Sequence, residues 1–170
     1  QATFGPTQAE VDALATSSYS AWLTTQMALP FTSHRTAALA DLAAYGGNSD
    51  GTMNASNRQA AWFKTVLTAP DQLRQRVAFA LSELFVVSDA SIAQPEGLAN
   101  YYDLLGNDAF GNFRTLLEDV TLSPIMGNYL SSLRNAKATA TTSPDENYAR
   151  EVMQLFTIGL NQLQPDGTLK

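Results

Sequence analysis

The sequence predicts an all-α protein, organised as a single compact domain of about eight or nine helices. Helix caps, helix-breaking residues and apolar residues at helical spacing agree along nearly all of its 170 residues. The alternation of apolar and polar residues that marks a strand is absent, and no repeat at a solenoid period occurs. A hydrophobic content of 45% is enough for one domain with a packed core.

The first four helices are defined by the residues at their ends. Thr7 and Glu10 have the spacing of a capping box, in which two side chains satisfy free backbone N–H groups reciprocally. The next three helices end where a proline or a glycine pair stops them, at Pro30, Gly46–Gly47 and Pro70. Their segments read YSAWLTTQMAL, HRTAALADLAAY and NRQAAWFKTVLTA.

A long central helix follows, with Pro70 at its first position, where a missing N–H has no cost. Its residues 71–88 carry a broad apolar arc. Three more helices are predicted in the segments PEGLANYYDLL, FGNFRTLLEDVTL and SPIMGNYLSSLRN. The last helix is predicted over residues 144–158.

Charged residues are embedded in the apolar surfaces of two of these helices. On a helical wheel, Arg76 and Glu83 project between Phe79 and Val87, so both are expected to point into packed surroundings. In the last helix, Glu151 falls inside the apolar arc. Burial of an unmatched carboxylate costs several kcal/mol, so such residues need partners or a shifted pKa.

Two interpretations of these charges remain open at this point. In the first, Glu83 and Glu151 are held by Arg76, Arg150 or Arg114 in a buried ion network that fixes the register of the two helices. In the second, the two glutamates face a shared cleft and act as acid and base, with Arg76 or Arg150 as charge partner. The second interpretation predicts a carboxylate-dependent hydrolase directed at glycans.

Composition excludes several classes of function. A net charge of −6 and a pI near 4.6 disfavour nucleic acid as a partner, because nucleic-acid binders carry clustered Lys and Arg. No segment has the roughly twenty apolar residues that a membrane span needs. The chain has no Cys and one His, so we expect no protein-bound zinc, no other metal and no cofactor. The one histidine, His34, is expected to cap or line the start of its helix.

Two further patterns resemble binding sites only weakly. The loop NSDGTMNASNRQ alternates oxygen-bearing residues like a calcium loop, but its glycine is misplaced and Gln59 stands where such a loop closes with Glu. The aromatic residues form a candidate sugar-binding groove, although aromatics at helical spacing more often belong to a core. They are Trp22, Trp62, Tyr101, Tyr102 and Tyr129.

Four motifs in this order resemble the bacterial family named domain of unknown function 1800. They are ATFGPT, QLRQRVAFALSELFVVS, YYDLLGNDAFGNFRTLLEDVTLSPIMGNYL and PDENYAREVMQLFTIGLNQL. The resemblance implies a longer, exported bacterial protein without an assigned reaction, of which this chain is the amino-terminal portion. Many members carry a Trp-His-Asn-His-Phe run where this chain has residues 81–85, so a histidine-based metal site does not transfer.

The leading functional hypothesis is a non-enzymatic assembly or binding module, secreted or periplasmic, working at the cell surface or in the periplasm. It rests on the missing catalytic motifs and on what the resemblance implies about export. Residues 1–170 look like a fragment of a longer chain. The expected partners are another protein, a second copy of this chain or the remainder of the longer chain. Glycans are a further candidate. The hydrolase using Glu83 and Glu151 is the alternative.

Overall fold

The predicted fold class is confirmed by the computed structural model, which describes residues 2–170. Over that range the chain forms nine helices and no strand beyond one isolated bridge between Leu163 and Leu169. The helices are α1 Gln8–Ala15, α2 Tyr19–Ala28, α3 His34–Tyr45, α4 Ala55–Thr68, α5 Gln72–Leu84, α6 Pro95–Asn107, α7 Phe113–Leu122, α8 Pro124–Tyr129 and α9 Asn147–Gln154.

Local capping explains where most of these helices begin. The capping box predicted at Thr7 and Glu10 is confirmed, since each side chain accepts a hydrogen bond from the backbone N–H of the other residue. Ser18 and Ser33 cap α2 and α3 in the same way, each accepting from an N–H in the first turn. Asn54 forms a second capping box, at the start of α4.

The central helix is shorter than predicted at both ends. Asp71 is its N-cap and Pro70 lies outside, so the prediction that Pro70 occupies the first helical position was wrong. The helix ends at Leu84 because Phe85 leaves the helical region, with φ −91° and ψ 63°. The carbonyl of Phe85 accepts a hydrogen bond of 2.7 Å from the hydroxyl of Tyr101 on α6. This bond replaces the one that a backbone N–H would donate if α5 continued.

The core is built where α6, α7 and α8 meet, with Phe85 after α5 and Phe156 after α9 packed against them. α3 packs on α4 and α6, and α5 packs on α2 and α6, so α6 is central to the assembly of helices. The largest cluster of buried apolar residues contains Phe85, Ile92, Leu98, Tyr101, Leu105, Leu116, Val120, Ile125, Met126 and Phe156. A smaller cluster of Ala38, Met53 and Ala61 lies between α3 and α4.

The last helix is also shorter than the predicted 144–158, and it does not lie along α5. Tyr148 and Val152 of α9, with Phe156 after it, pack against the core cluster, and the Phe156 ring stands 5.0 Å from that of Phe85. α5 and α9 are not among the extensively packed helix pairs of residues 2–170, so the predicted side-by-side packing was wrong. None of the described helices combines the length and the hydropathy that a membrane span requires.

Candidate functional site

The four charged residues predicted as a site are not brought together into a buried ion network. Glu83 is exposed on α5, and Glu151 is half-buried on α9 with one carboxylate oxygen buried and without a hydrogen-bond partner. Arg150 pairs with Glu146 one helical turn away, on the surface. The guanidinium of Arg76 lies over aromatic rings, 4.7 Å from the centre of the Phe4 ring.

Within residues 2–170 the ion pairs lie elsewhere. They join Arg35 to Glu96, Arg58 to Asp89, and Arg150 to Glu146. None of these pairs includes Glu83 or Glu151, so the prediction of a buried Glu–Arg network holding two helices in register was wrong. The catalytic role suggested for the two glutamates stays a prediction.

A cavity of about 470 Å³ opens between α3, α4, α5 and α6. Its floor is buried and its rim is exposed, because Tyr101 and Phe85 are almost fully covered while Phe63 is 61% exposed. The lining residues are His34, Arg58, Gln59, Trp62, Phe63, Phe79, Ser82, Phe85, Val86, Val87, Ser88, Asp89, Leu98, Ala99, Tyr101 and Tyr102. We call this recess the aromatic cavity.

The aromatic walls come from three helices, α4, α5 and α6, which place their rings next to one another. Trp62 of α4 meets Phe63 edge to face at 5.1 Å and Tyr102 of α6 edge to face at 6.3 Å. Phe79 of α5 stands 6.1 Å from Trp62. Such contacts hold large side chains at fixed angles, so the wall is formed before any ligand arrives.

A buried chain of polar side chains supports the cavity from below. Asp71 is fully buried and accepts hydrogen bonds from the backbone N–H of Thr32 at 3.0 Å and from its hydroxyl at 2.7 Å. The Gln75 amide nitrogen donates to the same carboxylate and to the Thr32 carbonyl, both at 3.1 Å. These two bonds fix the orientation of the Gln75 amide, and its oxygen lies 2.7 Å from Nε2 of His34.

The orientation of Gln75 determines the tautomer of His34. Because the Gln75 oxygen can only accept, Nε2 of His34 must carry the proton, and Nδ1 then presents a lone pair. Burial lowers the pKa of His34, against smaller opposing contributions from Gln75, Asp103 and Asp71. The imidazole is therefore neutral at neutral pH, and its buried Nδ1 has no hydrogen-bond partner.

Two other lining residues carry buried polar atoms without partners. The hydroxyl of Tyr102 is buried without a partner of good hydrogen-bond geometry, although the Trp62 indole N–H lies close enough to lower its pKa, and its ring stands 4.5 Å from that of His34. Burial raises the pKa of Tyr102 to about 12, although the Trp62 indole and the Arg76 guanidinium oppose the rise, so the hydroxyl keeps its proton. The Nε of Arg58 is likewise buried and unpaired, while its terminal nitrogen binds Asp89 at the rim.

The residues considered as metal ligands are otherwise engaged. In the loop with the calcium-like pattern, the Asp50 carboxylate accepts from the backbone and hydroxyl of Thr52, and Asn57 donates to Asp41 and to the Gly46 carbonyl. Across residues 2–170 no group of three His, Cys, Asp or Glu side chains is placed to hold a metal ion.

The aromatic candidates from the sequence divide into two groups. Trp62, Tyr101 and Tyr102 line the cavity, whereas Trp22 and Tyr129 do not. His34, predicted to cap or line the start of its helix, is the first residue of α3 but its ring belongs to the cavity floor. Arg58 and Asp89 were missed, because they lie 31 positions apart and no local pattern joins them.

The comparisons with known proteins point to a single family. The sequence profile described as "Protein of unknown function (DUF1800)" matches residues 1–166. No curated protein matches the chain, and no solved structure matches it. Because the profile covers nearly the whole length and agrees with the motifs along the helices, this all-helical chain belongs to the DUF1800 family of proteins of unknown function.

Proposed function

We propose that this domain is a non-enzymatic binding module that admits a small ligand into the aromatic cavity. The observation that carries the proposal is the set of buried polar atoms without partners in its lining, on His34, Tyr102 and Arg58. A buried donor or acceptor left unpaired costs about 1–3 kcal/mol. A ligand that supplies the missing hydrogen bonds recovers that free energy on binding.

The size and composition of the cavity support the same conclusion. A volume of about 470 Å³ lies within the range typical of small-molecule sites. Such sites combine mainly apolar walls with a few fixed polar groups, and the aromatic cavity has this composition. The polar chain from Asp71 through Gln75 to His34 holds one of these groups in a single orientation.

A cavity-filling substitution tests this proposal. Ser82 lines the cavity from α5, so Ser82→Phe is expected to occupy part of its volume and to weaken ligand binding about tenfold or more. The probes are benzyl alcohol, cyclohexanol and a set of methyl glycosides, observed by saturation-transfer NMR and by Trp62 fluorescence in a Trp22→Phe background. Because the chain has two tryptophans, this background leaves only the cavity indole as reporter.

The matched control is Ser20→Phe, which makes the same change on an exposed face of α2, away from the cavity. It is expected to bind the probes like the parent protein. Binding that survives Ser82→Phe unchanged, or an absence of binding by every probe, would contradict the proposal.

Two further proposals concern where the domain works and whether it is the alternative hydrolase. We place the module outside the cytoplasm, secreted or periplasmic, on the ground of what the family resemblance implies. The hydrolase alternative receives no support from geometry, because neither Glu83 nor Glu151 lines the aromatic cavity. An acid and base pair would need both carboxylates at one cleft.

Assembly is a second candidate function, favoured by the exposed apolar side chains of the segment after α9. They are Leu155 at 66% exposure, Ile158 at 77%, Leu160 at 73%, Leu163 at 55% and Leu169 at 66%. Residues 152–165 contain no charged side chain, although the chain as a whole carries a net charge of −6. A second copy of the chain can therefore meet this segment without like-charge repulsion, and we propose it as the partner.

Sedimentation equilibrium over a range of concentrations tests the assembly. The parent protein is expected to form dimers, and the double variant Ile158→Glu with Leu160→Glu is expected to be monomeric, because it places negative charge in the contact. Leu122→Glu changes a leucine of similar exposure, 71%, on α7 and should leave the dimer intact. A parent protein that is monomeric at the highest concentration would refute self-association.

A further inference from the structure

The polar atoms of the aromatic cavity define what kind of ligand it takes. Nδ1 of His34 offers a lone pair and accepts a hydrogen bond, because Nε2 already carries the proton and donates to Gln75. The Nε–H of Arg58 can only donate. The Tyr102 hydroxyl can donate its proton, and its oxygen retains a second lone pair beside the one directed at the Trp62 indole N–H. A matching ligand must therefore present both donors and acceptors within one small volume.

The charge of the cavity is balanced without a ligand. Arg58 is paired with Asp89, and the pKa of His34 is lowered by burial, so that its imidazole is neutral. An anionic ligand would have to compete with Asp89 for the guanidinium, and a cationic ligand would meet that guanidinium in a partly desolvated site. The ligand that fits this balance is neutral.

The remaining polar groups of the floor are already satisfied inside the protein. The Tyr101 hydroxyl donates to the Phe85 carbonyl at 2.7 Å, and the Ser82 hydroxyl donates to the Phe79 carbonyl at 2.7 Å. Neither can offer its proton to a ligand. Among the buried polar groups, recognition therefore falls on His34, Tyr102 and Arg58, with aromatic surface between them.

We propose that the aromatic cavity binds a neutral sugar unit, with one hydroxyl donating to Nδ1 of His34 and the ring lying against Trp62 and Tyr102. Each sugar hydroxyl is both a donor and an acceptor, which matches the mixture of groups in the cavity. The C–H face of a sugar ring is apolar and weakly positive, and it stacks on the negative face of an aromatic ring. This inference rests on the proposed binding function and adds the ligand class to it.

A pair of substitutions at His34 tests the hydrogen bond. In His34→Gln the terminal amide nitrogen can still donate to Gln75, but no acceptor remains at the position of Nδ1. In His34→Asn the side-chain oxygen takes the position of Nδ1, while the donor to Gln75 is lost. Methyl glycosides of glucose, galactose and N-acetylglucosamine are the probes, titrated by NMR into the parent protein and into both variants.

At least one glycoside is expected to bind the parent protein. Its affinity for His34→Gln is expected to be lower by about tenfold or more, and its affinity for His34→Asn to be lowered less. Circular dichroism of each variant confirms that it is folded, and Ser82→Phe serves as a second variant that leaves His34 in place. A glycoside that binds equally to the parent protein, His34→Gln and Ser82→Phe lies outside the cavity and overturns the assignment.

The probes also separate the two proposals from each other. If benzyl alcohol binds and is excluded by Ser82→Phe while no glycoside binds, the cavity is a ligand site but the sugar assignment is wrong. If neither class of probe binds, both the sugar assignment and the binding function fail. A glycoside that is hydrolysed during the titration would contradict the proposal that the domain is non-enzymatic.

Discussion

Replacement of Asp71 by alanine is expected to lower the free energy of unfolding by about 3–5 kcal/mol. The carboxylate is fully buried and accepts three hydrogen bonds, from the N–H and the hydroxyl of Thr32 and from the Gln75 amide. Alanine would leave these donors buried without an acceptor, and each would keep its desolvation cost. Urea denaturation followed by circular dichroism measures the change.

The control is Asp12→Ala on α1, where the carboxylate is exposed and accepts one hydrogen bond of 2.8 Å from the Gln8 side chain. It is expected to change the free energy of unfolding by no more than about 0.5 kcal/mol. A loss below about 1 kcal/mol in Asp71→Ala would show that the polar chain beneath the cavity contributes little to stability. The Gln75 amide keeps its bond to the Thr32 carbonyl in this variant, so one of the two bonds that orient it toward His34 remains.

Features of the fold that depend on near neighbours in the chain were predictable from the sequence. The capping box of Thr7 and Glu10 needs only residues three positions apart, and it was predicted correctly. The end of α5 was not, because Phe85 leaves the helix to bury its ring and to accept the Tyr101 hydroxyl, 16 positions away. Periodicity alone continued the helix to residue 88, since Phe85, Val86 and Val87 are apolar.

The error at the end of α5 also explains the error about its charges. The wheel placed Glu83 between Phe79 and Val87, but Val87 lies beyond the helix, so its direction does not follow the wheel. Val87 therefore does not cover Glu83 on the helix surface, and the Glu83 side chain is exposed. For Glu151 the helical wheel predicted the burial better, because that side chain is half-buried.

The candidate site depends on contacts that no local pattern encodes. Trp62, Tyr101 and Tyr102 were recognised as candidate sugar-binding residues, but the sequence does not show which aromatics share a cavity. The orientation of His34 depends on Gln75, 41 positions further along the chain. A lone histidine at a helix start therefore predicted capping, and only the fold shows its ring on the cavity floor.

Phe85→Ala is expected to lower the free energy of unfolding by about 3–5 kcal/mol, the range for removing a large buried aromatic side chain. The ring is 1% exposed, and it stands 5.0 Å from the ring of Phe156 beyond α9. Its loss should leave a void in the main core cluster and loosen α9 and Phe156, which pack on the same cluster. Urea denaturation gives the change in stability, and hydrogen exchange of residues 147–156 gives the change in local opening.

Phe63→Ala provides the matched control, because it makes the same chemical change at a ring that is 61% exposed on the rim of the aromatic cavity. It is expected to cost no more than about 1 kcal/mol and to leave the exchange of residues 147–156 unchanged. The Tyr101 hydrogen bond goes to the backbone carbonyl of residue 85 and therefore survives in Phe85→Ala, so the difference between the two variants reports on the buried ring. Equal losses in the two variants would show that Phe85 does not anchor the segment after α9, and that α9 is held to the core by Tyr148 and Val152 instead.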